Sequence, residues 1–214
     1  MRNPLNPLVW RTRFYVPHAL SVAGVRGYKP QGPADPSGWD ELYEAGYLDY
    51  YAEPDALARY GILAAYITHI GARSILDVGC GPGLLRPHVE GVGFTRYLGL
   101  DPSRVAIEQA RRFEDDRTSF AVAERPAPES GPFHVVVCND MLYYLDDPGA
   151  FLDHTRDLLE PDGYVVAAVW RHPGDVLLHR LLDERFDVVD RVLVKQLVDR
   201  RRSRWLVSCH RRRS

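Results

Sequence analysis

Cysteine and long apolar runs are scarce in this sequence of 214 residues. The three cysteines, Cys80, Cys138 and Cys209, stand far apart without CxxC spacing, so neither a zinc site nor a disulfide framework is indicated. We therefore expect no metal and a reduced, cytoplasmic setting. Prolines and arginines interrupt the first twenty residues, which argues against a signal peptide, and no stretch approaches the length of a membrane span. We expect no association with a membrane.

An excess of either charge is also missing, since 27 basic and 29 acidic residues give a net charge of −2. This balance does not favour nucleic acid as a partner. The arginine clusters at 200–204 and 211–213 fall in a predicted turn and tail, and we interpret them as solvated charge. Only two of the basic residues are lysines, an arginine bias that is associated with GC-rich coding and suggests a bacterial source.

The length of the chain suits one hydrophobic core that is preceded by an N-terminal extension. Residues 1–38 end in a stretch rich in proline and glycine, and we expect an N-terminal arm or cap there, followed by a folded domain over 39–214. The apolar spacing over 39–70 predicts two helices, split near Pro54, that form a helical cap.

Short apolar strands then alternate with amphipathic helices. Strands are predicted at 74–78, 97–100, 119–123, 133–138 and 164–170, with helices at 84–89, 104–113, 149–159 and 175–182. Two further strands, 186–194 and 205–210, follow each other without a helix and predict an antiparallel hairpin. The pattern indicates a doubly wound, Rossmann-like α/β fold with a seven-stranded, mostly parallel sheet.

The stretch "ILDVGCGPGLL" ends the first strand with glycines at alternate positions. Glycine permits positive φ and removes the Cβ that would hold a ligand away from the backbone, so this loop can lie against a small molecule at the carboxyl edge of the sheet. The alternative is a tight turn without a ligand. The third glycine of a dinucleotide fingerprint would fall at Leu84, and no Gly-Lys-Ser/Thr follows, so both phosphate-binding loops are poor matches.

Together with later stretches, this loop resembles the motifs of class I S-adenosylmethionine-dependent methyltransferases of the small-molecule type. The later stretches are "YLGLDPS", "SFAVAERPAP", "FHVVVCNDMLYYLDDP" and "LLEPDGYVVAAVW", in the family's order. The resemblance runs from about Trp39 to the C-terminus and implies S-adenosyl-L-methionine as the cofactor. It also implies that Gly163 supplies the turn before the fifth strand.

The resemblance further implies roles for single residues. Asp77 would orient the loop near the methionine amino group, and Asp101 would receive the ribose hydroxyls, although it could instead cap the next helix, a role open to Ser103. Glu124 would lie beside the adenine amino group or be an exposed loop acid. The expected cofactor-binding residues are Asp77, Gly79, Cys80, Gly81, Gly83, Leu84, Asp101, Pro102, Ser103, Glu124, Asn139, Asp140 and Tyr51.

Two residues are candidates for catalysis. Placement of a nucleophile in line with the electrophilic methyl group supplies much of the rate, and a base near neutrality helps an acidic acceptor. His172 follows the fifth strand at the carboxyl edge and is the expected base, with a plain loop histidine as the alternative. Tyr143 is expected to flank the reactive sulfonium.

Six tyrosines between positions 43 and 66 could join Trp39 as an aromatic lid over the cofactor and an apolar substrate, or simply pack the helices. Tyr51 or Tyr43 is expected to reach the cofactor carboxylate. Arg59 either pairs with that carboxylate or lies on a solvated face.

These features predict a methyltransferase acting on a small, apolar or aromatic, natural-product-like acceptor. The acceptor atom stays open, as does homodimer formation. One rival keeps the cofactor but catalyses cyclisation or rearrangement, and another is a non-catalytic partner subunit. Duplex DNA is a poor candidate substrate, because "NDMLYY" stands where base-amino methyltransferases carry Asn/Asp-Pro-Pro-Tyr/Phe.

Overall fold

Seven strands form the centre of the protein. The structure is a computed structural model that describes residues 36–127, 130–171, 175–196 and 204–213. The strands are β1 (Ser74–Val78), β2 (Arg96–Asp101), β3 (Thr118–Val122), β4 (Phe133–Asn139), β5 (Leu159–Trp170), β6 (Phe186–Lys195) and β7 (Arg204–Arg212). Each overlaps a predicted strand.

The helices lie between the strands and in front of β1. They are α1 (Pro36–Glu44), α2 (Pro54–Ile70), α3 (Arg104–Ala110), α4 (Pro148–Asp157) and α5 (Asp175–Arg185). Short 3₁₀ segments cover Asp49–Ala52, Arg86–Val92, Arg111–Phe113 and Leu142–Tyr144. Pro54 opens α2, where its fixed φ suits the first helical turn, so the predicted split at this residue is confirmed. The proposed domain boundary at residue 38 stays a prediction, because residues 1–35 lie outside the described part.

The strand order across the sheet is β3-β2-β1-β4-β5-β7-β6. The first five of these strands run parallel, and β7 is antiparallel to both of its neighbours, as the predicted hairpin requires. The order reverses between β1 and β4, which start connections to opposite sides. In a doubly wound sheet, ligands bind outside the carboxyl ends of the strands at this point.

The two faces of the sheet carry separate apolar cores. In β1, Ile75 joins the cluster beneath α2, whereas the next residue, Leu76, joins the cluster beneath α4 and α5. The same alternation in β4 sends Val135 to the first cluster and Val136 to the second. Strands buried on both faces explain the near-continuous apolar runs in the sequence.

Two predictions of local structure need correction. The segment predicted as a helix at 84–89 is a 3₁₀ stretch from Arg86 to Val92, a segment that contains Pro87 and Gly91, both poor α-helix residues. β5 begins at Leu159, not at residue 164, and its pairing with β4 shifts between Phe133 and Val135. Gly163 therefore lies in an irregularity inside the strand and not in a turn before it.

Candidate active site

The glycine loop follows β1 at the carboxyl edge of the sheet. Gly79, Gly81 and Gly83 have φ angles of +69°, +54° and +75°, in the left-handed region that favours glycine. The N–H groups of Gly79 and Cys80 donate to the Leu100 carbonyl at 2.8 and 2.9 Å. The loop is thus held in place by the backbone of β2.

Other segments approach the loop where glycine leaves out a side chain. A Cβ built on Gly79 would lie 2.9 Å from the Cβ of Met141, and one built on Gly81 would lie 2.9 Å from the Tyr43 hydroxyl. Side chains in these positions would push away the segment after β4 or helix α1. The glycine backbone therefore lies directly against α1 and against the segment after β4.

Asp101 ends β2 and turns its carboxylate toward the glycine loop. Its two oxygens accept the N–H groups of Gly81 and Ser103, both at 2.9 Å. Burial raises the pKa of Asp101 to about 6, and the Asp40 carboxylate adds to this, although the two backbone donors act in the opposite direction. The alternative role as helix cap belongs to Ser103, whose hydroxyl accepts the N–H of Ala106 at 3.1 Å.

Asp40 of α1 completes this side of the site. Its Oδ1 accepts the Ser103 hydroxyl at 2.6 Å and the Val105 N–H at 3.1 Å, which fastens α1 to the start of α3. The hydrogen bond from Ser103 lowers the pKa of Asp40. Sequence reasoning misses this residue, because 63 positions separate it from Ser103 and no local pattern marks it.

Two acceptors at the ends of neighbouring strands have no hydrogen-bond partner among the described residues. Asp77 is 1% exposed; its Oδ2 accepts the Tyr97 hydroxyl at 2.6 Å, but its Oδ1 accepts nothing. Burial raises the pKa of Asp77 to about 7 in spite of that bond. The Oδ1 of Asn139, at the end of β4, is also buried and unpaired. Because buried acceptors are normally satisfied, both are suited to donors from a ligand.

Arg59 of α2 is fully buried, so the alternative that it lies on a solvated face is wrong. Its Nη1 donates to Asp140 Oδ2 at 2.5 Å, and the guanidinium carbon lies 4.9–5.3 Å from the ring centres of Tyr51, Tyr60 and Trp205. Burial lowers the pKa of Arg59, but the Asp140 carboxylate and the neighbouring tyrosines together outweigh burial, so the pKa lies above its ordinary value. Nε and Nη2 have no partner among the described residues.

Asp140 is drawn into this cluster from the segment after β4. Its Oδ1 accepts the N–H of Trp170 at 3.1 Å, and its Oδ2 accepts the indole N–H of Trp205 at 3.0 Å in addition to Arg59. The expectation that Asp140 contacts the cofactor stays a prediction. Its carboxylate is engaged by residues of α2, β5 and β7.

Aromatic side chains line the outer part of the site. Tyr143 and Tyr144 have ring centres 4.4 Å apart, and Trp39 of α1 meets Tyr144 edge to face at 4.8 Å. Burial, followed by the Asp140 carboxylate, raises the pKa of Tyr143 well above its ordinary value. A hydrogen bond with Asp140 raises this pKa further, so the Tyr143 hydroxyl stays protonated near neutrality. Tyr51 lies against the Arg59 guanidinium.

The other residues predicted for the site lie beside the glycine loop, on the surface, or outside the described residues. Leu84 and Pro102 are half-buried beside the loop and Asp101, and Cys80 is buried within the loop. Glu124 follows β3 and is exposed, so its contact with adenine stays a prediction. His172 lies outside the described residues.

Two kinds of feature are missing from the part of the chain that the structure describes. It holds no group of three or more His, Cys, Asp or Glu side chains arranged to bind a metal ion. None of its helices is long and apolar enough to cross a membrane.

Comparison with curated sequences finds ubiquinone biosynthesis O-methyltransferases. The enzyme of Thiobacillus denitrificans is 33% identical over 102 residues, which cover 45% of this chain and 44% of the relative. That of a Caulobacter species is 30% identical over 156 residues, covering 70% and 60%. The chain thus spans about half the length of the curated relatives it matches.

Solved structures share the fold at low identity. The N-methyltransferase NodS of Bradyrhizobium japonicum, in complex with S-adenosyl-L-homocysteine, has a TM-score of 0.64 at 17% identity, covering 78% of this chain and 91% of NodS. The [4+2]-cyclase SpnF has a TM-score of 0.59 at 18% identity, covering 96% and 95%. The family model described as a methyltransferase domain matches residues 48–210, most of the chain. The sequence of its glycine loop and the position of Asp101 predict this family. The chain therefore belongs to the methyltransferase domain family.

Proposed function

We propose that this protein is an S-adenosylmethionine-dependent methyltransferase for a small, apolar or aromatic acceptor. S-adenosylmethionine is the methyl donor of the family. The observation that carries the proposal is the hydrogen bond from the Gly81 N–H to Asp101 Oδ2, which brings the bare loop and a buried carboxylate together at the switch point of the sheet.

The nucleoside half of the cofactor fits the side formed by the loop and β2. The carboxylate of Asp101 has lone pairs left beyond its two backbone partners, so it can accept both ribose hydroxyls. Glu124 is proposed for the adenine amino group. Gly79, Gly81 and Gly83 let the backbone approach the ligand, with Cys80, Leu84, Pro102 and Ser103 around them.

The amino-acid half fits the side formed by β1, β4 and α2. Asp77 Oδ1 and Asn139 Oδ1, which have no hydrogen-bond partner among the described residues, are suited to an ammonium group. Nε and Nη2 of Arg59 also have no partner in that part of the chain and can bind a carboxylate through charge-assisted hydrogen bonds. We propose that Tyr51 and Asp140 act beside it.

When bound, the cofactor would supply a methyl group activated by its sulfonium. The contribution of the chain is then to place the acceptor and exclude water. Tyr143 is proposed to flank the reactive sulfonium and to orient the acceptor through its ring. His172 is proposed as the base that takes a proton from the acceptor, a role that suits the ordinary pKa of histidine.

The acceptor is proposed to be flat and apolar because aromatic rings cluster beside the proposed site. Trp39 packs on Tyr144, and Tyr144 packs on Tyr143 there. The curated relatives are named as O-methyltransferases, so phenols are the first acceptors to test.

The test is a methyl-transfer assay with deuterated-methyl S-adenosylmethionine and a panel of phenols, followed by mass spectrometry. We expect one acceptor to gain the labelled methyl group with one equivalent of S-adenosylhomocysteine, and Asp101→Ala to abolish the gain. Consumption of an acceptor without label would instead support cyclisation or rearrangement. Cofactor binding without turnover of any acceptor, followed by activation of a second methyltransferase, would support the partner-subunit alternative.

A further inference from the structure

Asp140 has a backbone conformation that is uncommon for residues other than glycine. Its φ is +61°, and among the described residues it is the only non-glycine residue with positive φ. Such a conformation persists when the surroundings over-determine it, and it occurs often at functional sites. The backbone N–H of Asp140 also donates to the Ala168 carbonyl at 2.8 Å, which holds the residue at the end of β5.

This conformation aims one carboxylate at donors from three separate elements. Oδ1 accepts from Trp170 at the end of β5, and Oδ2 accepts from Trp205 at the start of β7 and from Arg59 of α2. The sequence separations are 30, 65 and 81 positions. Asp140 is thus the point at which distant parts of the chain fix a single charged group.

The consequence for Arg59 is a fixed orientation. Only Nη1 is used by Asp140, while the rings of Tyr51, Tyr60 and Trp205 surround the guanidinium and limit its rotation. Nε and Nη2 form one edge of the guanidinium and have no partner among the described residues. A planar fork with one edge free matches the two oxygens of a carboxylate.

We propose that Asp140 is a positioning residue that holds Arg59 with its Nε and Nη2 edge directed at the carboxylate of the cofactor's amino-acid half. The inference rests on the proposed function. Asp140 acts through Arg59 and needs no contact with the cofactor itself. Without its negative charge, Arg59 loses both its orientation and the counter-charge that keeps it buried.

The test compares two ligands that differ in the relevant group. S-adenosylhomocysteine carries the amino-acid carboxylate, whereas decarboxylated S-adenosylhomocysteine keeps the nucleoside, the thioether and the amine but lacks that carboxylate. In calorimetric titrations, Asp140→Asn should weaken S-adenosylhomocysteine about tenfold, as loss of one charge-assisted hydrogen bond predicts, and change the decarboxylated ligand by less than about twofold.

Asp40→Asn is the matched control, since it makes the same chemical change on the nucleoside side, next to Ser103. It should weaken both ligands by the same factor. If Asp140→Asn does not fold, as judged by circular dichroism, Trp205→Phe replaces it, because it keeps the ring against Arg59 and removes the N–H to Asp140. It should weaken S-adenosylhomocysteine selectively, by about threefold.

Equal effects of the Asp140 or Trp205 variant on the two ligands would overturn the inference while leaving the proposed function standing. Failure of the wild-type protein to bind either ligand would overturn the proposed function and, with it, this inference. A selective loss for the ligand with the carboxylate supports both.

Discussion

Asp101 and Asp140 are both buried carboxylates at the carboxyl edge of the sheet, yet they are held by different means. Asp101 accepts two backbone N–H groups, from residues 20 and 2 positions away. Asp140 accepts side-chain donors from residues 81 and 65 positions away, one of them a cation. Asp101 thus binds backbone groups of the glycine loop and of its own turn, whereas Asp140 connects α2 to β7.

The difference also appears in their charge. Asp101 has backbone donors in place of a cation, and burial raises its pKa to about 6. Asp140 faces the guanidinium of Arg59 at 2.5 Å. A carboxylate without a cationic partner can respond to a ligand, whereas one that is paired with a cation is better suited to holding that cation in place.

The largest expected effect is a difference in the free energy of unfolding between variants of the two residues. Asp140→Ala should lower the free energy of unfolding by about 3–5 kcal/mol, because it leaves the buried charge of Arg59 uncompensated. Asp101→Asn should lower it by about 1–2 kcal/mol, since the amide oxygen replaces only one of the two carboxylate acceptors but no buried cation is left behind. Urea denaturation measures both, and comparable losses in the two variants would break the comparison.

The next prediction concerns the loop that holds Asp101. Gly81→Ala should lower the free energy of unfolding by about 2 kcal/mol, because the residue has a φ of +54° and its new Cβ would meet the Tyr43 hydroxyl. Gly71→Ala is the control, since it has similar φ, +66°, but its Cβ would meet nothing within 4 Å. A comparison of the thermal unfolding of the two variants isolates the cost of the contact with α1. Identical losses of stability would mean that the Tyr43 side chain moves aside at no cost.

Affinity for S-adenosylhomocysteine should depend on pH through Asp101. Its folded-state pKa of about 6 lies above the ordinary aspartate value, so acidification from pH 8 to pH 5 protonates it and should weaken the proposed bonds to the ribose hydroxyls. Wild-type affinity should fall about tenfold more over this range than that of Asp101→Asn. Parallel pH profiles from calorimetry in the two proteins would exclude Asp101 as the titrating contact.

The smallest effect is expected for Asp40, which lies next to Asp101 and shares Ser103 with it as a hydrogen-bond partner. Asp40→Ala should lower the free energy of unfolding by about 1 kcal/mol, the usual cost of losing a helix cap. Affinity for both thioether nucleosides should fall a few-fold. Unchanged stability in denaturant would mean that α1 is not fastened to α3 by this carboxylate.

The features that the sequence predicts well are local ones. The apolar alternation of β1 and β4 and the spacing of the glycines depend on residues a few positions apart. Ser103 as the helix cap is another such feature, because the cap and its partner Ala106 are three residues apart. The place of Asp101 beside the loop is predictable in the same way, because it directly follows the apolar run of the strand that neighbours β1.

The features that it predicts poorly depend on tertiary contacts. From the sequence alone, Arg59 could either bind a ligand or lie on the surface. The packing of α2 on the sheet, which places Trp205 against the guanidinium, decides between the two. The partners of Asp40 and Asp140 come from distant elements in the same way. The early start of β5 at Leu159 depends on pairing with Phe133, which a helical pattern cannot reveal.

The most direct test of the account is a calorimetric titration of S-adenosylhomocysteine into the wild-type protein and into Asp101→Asn, at pH 8. We predict saturable one-to-one binding by the wild type and an affinity about 100-fold lower in the variant, because two hydrogen bonds to an ionised acceptor contribute roughly 1.5 kcal/mol each. Absence of binding to the wild type, or equal affinity of the two proteins, would contradict the account.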